Sequence, residues 1–267
     1  MIRKIFLFFL FLIFSISFAY AAPPEITADA AVIMDAKSGK ILYEKNGNKR
    51  EYPASMTKMM TCILALEKGD PYHMTTISAN AANVESTALS GGEWIRTEDL
   101  TYQMMLISDN GAATALAEAI GGNVNHFADM MNEKAKSIGC QDTHFVNANG
   151  MPDENHYSTA IDMAKIARYG LKNKKFRAIV STKGKQIHYE KPMQNLYYEN
   201  SNALLYSYPG CIGIKTGYTR AAGGCLAAAA TKGNDTLIVI VMHSQDFDTR
   251  VTEAGQLLDY GFSLLKK

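Results

Sequence analysis

The chain has 267 residues, 47% of them hydrophobic, with 27 basic and 26 acidic side chains and a formal charge of +1. A balance this close, with no block of either sign, argues against a nucleic-acid partner and offers no polybasic patch for a membrane surface. The hydrophobic share fits a packed globular protein, long enough for one large domain or a domain with a sizeable insertion.

At the N-terminus, Arg3 and Lys4 precede an apolar run over residues 5–18, and Ala19-Tyr20-Ala21 supplies a small-x-small pattern. The run is shorter than a typical membrane span and is followed by a cleavage pattern. Residues 1–21 therefore read as an export signal cleaved near Ala21-Ala22, with an uncleaved anchor as the alternative. Residues 22–267 form the working domain. Residues 30–34 and 40–45 are β-like runs joined by Asp35-Ala36-Lys37-Ser38-Gly39, a good hairpin turn. Pro53 opens a helix of about four turns that carries Ser55 in its first turn and stops at Gly69.

From about residue 70 to 166 the pattern is helical with loops. Helices are expected over 100–107, 112–120, 124–138 and 159–171, and Trp94 is expected to pack the base of this lobe. Strand character returns at 187–189, 211–215, 224–230 and 236–243, and 249–265 is a closing helix. Strands at both ends with helices between them predict an α/β fold: a mainly antiparallel sheet flanked by helices, with an inserted all-helical lobe. Of the four cysteines, Cys62, Cys140, Cys211 and Cys225, the last two flank Tyr218 almost symmetrically. A hairpin turning at Tyr218 would bring them across from each other, although four cysteines in so long a chain are no disulfide scaffold.

The chemistry centres on Ser55-Met56-Thr57-Lys58. Three residues apart on a helix, the hydroxyl and the amine share a face. A serine becomes a nucleophile when a base takes its proton, and a lysine is that base only when burial or a neighbouring cation keeps it neutral. The spacing alone is weak, since Ser263-Leu264-Leu265-Lys266 repeats it at the C-terminus and an N-cap with a surface lysine gives the same pattern. Two further stretches strengthen it. Ser108-Asp109-Asn110 falls at a break between helices, where a hydroxyl and a carboxamide can face a cleft. Lys215-Thr216-Gly217 ends a strand-like run that, at a sheet edge, offers backbone groups to an extended substrate. Ser78-Ala79-Asn80 and Lys37-Ser38-Gly39 mimic these motifs but lack the leading helix and the chain order. Ser55, then Ser108, then Lys215 is the order found in penicillin-binding serine acyl-transferases.

On these motifs, with Asn147-Ala148-Asn149-Gly150-Met151-Pro152 and Gly213-x-Lys215-Thr216-Gly217-Tyr218-Thr219, the chain resembles the D-alanyl-D-alanine carboxypeptidases. These are low-molecular-mass penicillin-binding proteins with the penicillin-binding, β-lactamase-like transpeptidase fold. Two departures stand out. The chain stops soon after Phe262, without the small β domain and amphipathic anchor helix of many relatives, so no stable membrane anchor is expected. The second motif has Asp109 where glycine is common, a difference expected to matter little.

The resemblance implies an exported, cell-wall-associated enzyme that removes the terminal D-alanine from peptidoglycan stem peptides and is trapped by β-lactams, with no cofactor and no metal. It implies Ser55 as nucleophile, Lys58 as its base, and Ser108 as proton relay to the leaving amine. Asn110, Lys215, Thr216, Gly217 and Tyr218 bind substrate, and the backbone N–H groups of Ser55 and Tyr218 form the oxyanion hole. Arg250 reads the terminal carboxylate, with a surface arginine at a helix start as the plain alternative. A β-lactamase would need a glutamate that holds a water, and only Glu154 lies near the expected place, in an exposed stretch. A non-catalytic wall-binding module would not need a nucleophile and its base. The six histidines show no ligand spacing, and His156 reads as a structural residue.

Overall fold

The computed structural model describes residues 22–265. The export signal expected over residues 1–21 lies outside the described residues. The N-terminal hairpin is β1 (Ala30–Asp35) and β2 (Ile41–Lys45), closed by a turn in which the Ser38 N–H donates to Asp35 Oδ1 and Gly39 takes φ +79°. Far along the chain come β7 (Cys211–Thr219), β8 (Gly223–Lys232) and β9 (Asp235–Ser244). All five strands form one antiparallel sheet in the order β2-β1-β9-β8-β7, so the hairpin completes a sheet built mainly by C-terminal strands.

Side chains alternate across a strand, and here both faces are covered. Ala30, Val32, Ile238, Ile240, Ala227 and Ala229 face the large helical core. Ala31, Ile33, Val239, Val241, Leu226 and Ala228 face α9 (Phe247–Leu265), which answers with Ala254, Leu257, Leu258 and Phe262 at helical spacing.

On the larger face the chain turns at Pro53 into a short 3-10 turn, Ala54–Thr57, and then α1 (Lys58–Lys68). Residues 58–65 of α1 are all buried, so this is a central helix without a solvent face. Each Met, Ile or Leu fully buried there contributes roughly 1.5–3 kcal/mol. Around α1 pack α3 (Thr97–Leu106), α4 (Asn110–Gly121), α5 (Val124–Ile138), α6 (Ala160–Lys172) and α7 (Lys174–Ser181), while the one-turn helix α2 (Ala79–Ala82) lies against α4 and the one-turn helix α8 (Leu204–Ser207) against β7.

Several features go beyond the periodicity. The inserted region carries β3 (Met74–Thr76) and β4 (Trp94–Arg96), which join β5 (Gly184–Lys191) and β6 (Met193–Glu199) in a second sheet of order β3-β4-β5-β6. Strands of three residues are too short for an alternation to register. Trp94 lies on one of them, 44% exposed, and does not pack the base of the lobe. The turn between β7 and β8 falls after Thr219, not at Tyr218, so Cys211 pairs with Ala230 and Cys225 with Gly217. That register keeps the two thiols apart, and all four cysteines are free.

Candidate active site

Ser55 sits in the 3-10 turn ahead of α1, and the backbone there is unusual: Ala54 takes φ +47°. Gly150, itself at φ +90°, is pressed against it, because a Cβ on Gly150 would fall 1.9 Å from the Ala54 carbonyl oxygen. Gly217 closes the other side, where a Cβ would lie 2.9 Å from the Ser55 nitrogen. Two glycines thus let the Asn149-Gly150 loop and strand β7 clamp the serine turn. Strand β7 is the outer strand of its sheet, so half of its backbone groups face away from β8.

Lys58 has no solvent-accessible surface. Its Nζ lies 2.8 Å from Ser55 Oγ, 2.6 Å from Asn110 Oδ1 and 2.6 Å from the Asn149 carbonyl oxygen. The Asn110 amide is oriented by its other end, where Nδ2 donates to the Glu85 carbonyl at 2.8 Å. Burial, and then the charge of Lys215, holds the Lys58 amine well below its ordinary pKa, against a weaker opposing pull from Asp109. A neutral amine has two N–H bonds and one lone pair. The two oxygens without hydrogens take the N–H bonds, which leaves the lone pair for the Ser55 hydroxyl. The geometry of a base with its nucleophile follows directly.

Ser108 lies in the left-handed region, φ +63°, at the break between α3 and α4, and lines the same cleft as Ser55 and Asn110. Such a conformation in a non-glycine residue persists only when its surroundings enforce it. Asp109 does the enforcing. It caps α4 by accepting from the Ala112 N–H, and also accepts from Thr87 Oγ1, the Ala88 N–H and Gln103 Nε2. Asp109 is buried and does not line the cleft; its side chain anchors the motif from behind. Lys215 is buried behind the cleft wall, its Nζ 2.9 Å from the Thr216 carbonyl, and burial together with Arg250 lowers its pKa to about 7.

Thr216, Gly217, Tyr218 and Arg250 line the cleft, which encloses about 730 Å³. Arg250 donates from Nη1 to the Gly217 carbonyl, which ties α9 to β7; it is 7% exposed and not a surface residue. Glu154 is exposed and does not line the cleft. His156 is buried between Thr57 Oγ1 and the Val146 N–H and packs edge-on to Phe145, which fits a structural role. Sequence reasoning missed the Asn149 carbonyl, the Asp109 hub and Phe247. The Asn-Gly pair at 149–150 was the one available signal. Among the described residues Asp29, Glu51 and His243 also come together, but Lys49 Nζ already bridges the two carboxylates at 2.9 and 2.6 Å.

An antiparallel sheet with a helical insert, and a serine–lysine pair at the floor of the cleft between them, is the penicillin-binding, β-lactamase-like architecture. The solved DD-transpeptidase of Streptomyces K15 superposes with a TM-score of 0.86 at 32% identity, over 91% of this chain and 100% of that one. A sequence profile of the D-alanyl-D-alanine carboxypeptidase family matches residues 17–246. The carboxypeptidase DacF of Bacillus subtilis is 37% identical over 88% of this chain and 62% of its own length. DacA of Haemophilus influenzae is 35% identical over 90% of this chain and 63% of its own. The chain belongs to the D-alanyl-D-alanine carboxypeptidase family, and it spans just under two thirds of the length of these two relatives.

Proposed function

We propose that this protein is a serine-type D-Ala-D-Ala carboxypeptidase that trims the terminal D-alanine from peptidoglycan stem peptides and is acylated by β-lactams. The observation that carries the reading is the buried Lys58 amine, its Nζ 2.8 Å from Ser55 Oγ and 2.6 Å from both the Asn110 side-chain oxygen and the Asn149 carbonyl. In the reaction, Ser55 Oγ attacks the carbonyl carbon between the two D-alanines while its proton passes to Lys58 Nζ. The oxyanion is held by the backbone N–H groups of Ser55 and Tyr218, where each donor contributes roughly 3–4 kcal/mol to transition-state stabilisation. The C–N bond then breaks, the leaving amine takes a proton through Ser108, and Ser55 is left as an ester. Water attacks that ester, returns a proton to Ser55 and frees the shortened peptide. Asn110, Thr216 and the Gly217-Tyr218 backbone align the peptide, and Lys215 and Arg250 supply positive charge for its terminal carboxylate.

This reading places the protein outside the cytoplasm, on the cell wall, after export through residues 1–21. No helix among the described residues is long and apolar enough to cross a membrane. Mass spectrometry of a muramyl pentapeptide before and after incubation tests the activity. Loss of one alanine is expected, abolished in Ser55→Ala, together with slow release of bound fluorescent penicillin. An intact pentapeptide with rapid turnover of many penicillin equivalents refutes the proposal in favour of a β-lactamase. An absence of any labelling favours a non-catalytic binding module.

A further inference from the structure

Phe247 opens α9 and takes no part in the core, since its ring is 52% exposed, yet it is firmly placed. The Asp246 carboxylate caps the turn by accepting from the N–H groups of Asp248 and Thr249 at 3.0 and 2.7 Å. Beneath it, Gly224 of β8 leaves room for close approach, as a Cβ there would lie 2.4 Å from the Asp246 carbonyl. The ring that results stacks on Tyr218, with centroids 4.2 Å apart and planes 28° from parallel. The guanidinium carbon of Arg250 lies 4.8 Å from the same ring centroid.

Arg250 is thereby hemmed in. Its guanidinium carbon lies over the Phe247 ring, Nη1 is committed to the Gly217 carbonyl, and Nε is buried without a partner. Tyr218, Phe247 and Arg250 all line one cleft with Ser55. Tyr218 and Phe247 form a two-ring plate beside the one arginine of the cleft that is buried.

We infer that Phe247, stacked on Tyr218 and set against the Arg250 guanidinium, is a specificity-determining residue that reserves the leaving-group end of the cleft for a residue ending in a free carboxylate. The inference rests on the carboxypeptidase reading and deepens it. Two physical effects act together. The ring keeps water from one face of the guanidinium, which strengthens its attraction for a carboxylate through the lower local dielectric. It also occupies the space over Arg250 that a chain continuing past the terminal residue would need, so an extended or amidated substrate meets a ring where the acid meets a charge.

The test compares kcat/KM for diacetyl-L-Lys-D-Ala-D-Ala with that for its C-terminal amide, in the unaltered protein and in Phe247→Ala and Phe247→Leu, each checked for an unchanged melting curve. The acid-to-amide ratio is expected to fall about tenfold in Phe247→Ala, within the range that loss of one apolar contact produces. Phe247→Leu, which keeps bulk but no ring face, is expected to lie between. A ratio within about twofold of the unaltered protein overturns the inference while the unaltered protein still cleaves the acid. If the unaltered protein cleaves neither peptide and takes up no fluorescent penicillin, the carboxypeptidase reading itself has failed and this inference falls with it.

Discussion

Replacing Asp109 by asparagine removes one acceptor oxygen and one negative charge from the hub of the site, and both consequences follow from its four donors. Oδ1 receives the Ala112 N–H and Thr87 Oγ1, and Oδ2 receives the Ala88 N–H and Gln103 Nε2, at 2.8–2.9 Å. Whichever way the new amide turns, its NH₂ points at two donors. Gln103 relieves one conflict by flipping, at the expense of the hydrogen bond its Oε1 accepts from Tyr189 at 2.8 Å. One or two buried donors stay unpaired, each worth about 1–3 kcal/mol, so Asp109→Asn is expected to destabilise by about 2–4 kcal/mol. For a domain of this size that lowers the melting temperature by about 5–15 °C. The charge acts separately. Asp109 favours the protonated form of Lys58, so its removal moves the acid limb of penicillin acylation against pH downward. Calorimetry and stopped-flow acylation read the two effects independently. A melting shift below about 2 °C, or an acid limb that stays or moves upward, refutes this account of Asp109.

Two further outcomes are expected. Lys215→Gln removes the positive charge that, after burial, most strongly opposes protonation of Lys58; the acid limb of acylation then moves to higher pH, opposite in sign to Asp109→Asn, and a downward shift contradicts the assignment. His156 accepts from the Val146 N–H at Nδ1, so its proton sits on Nε2 toward Thr57, and burial lowers its pKa from 6.5 to about 4. A folded-state value below the unfolded one gives stability that is complete above pH 6.5 and lost as pH falls toward about 4, on the order of 3 kcal/mol. His156→Gln is expected to flatten that part of the stability curve, measured by urea unfolding at stepped pH; an unchanged slope rules His156 out as its source.

Much of the molecule was legible in the sequence because it is written in local period and order. The short continuous apolar runs at residues 30–34 and 236–243, bounded by turn residues, reveal strands buried on both faces. The apolar face of 58–66 behind Pro53 reveals a helix with Ser55 and Lys58 on one side. Three short motifs in one order point to acyl transfer. What the tertiary structure alone decided is what those residues touch. Lys58 gives one of its N–H bonds to a backbone carbonyl 91 residues away, and backbone carbonyls carry no mark in a sequence. Asp109 looked incidental because its donors come from α3, α4 and the segment before them, which meet only when the lobe folds. The free state of Cys211 and Cys225 depended on where a hairpin turns, a matter of register that symmetry about Tyr218 cannot convey. Phe247 lies two residues ahead of the closing helix expected over 249–265 and carries no signal of its own; its place over Arg250 depends on the close approach of Asp246 to Gly224 of β8. Local pattern specifies elements and their faces, whereas the pKa of Lys58 and the walls of the cleft arise from burial and from contacts between segments far apart in the chain.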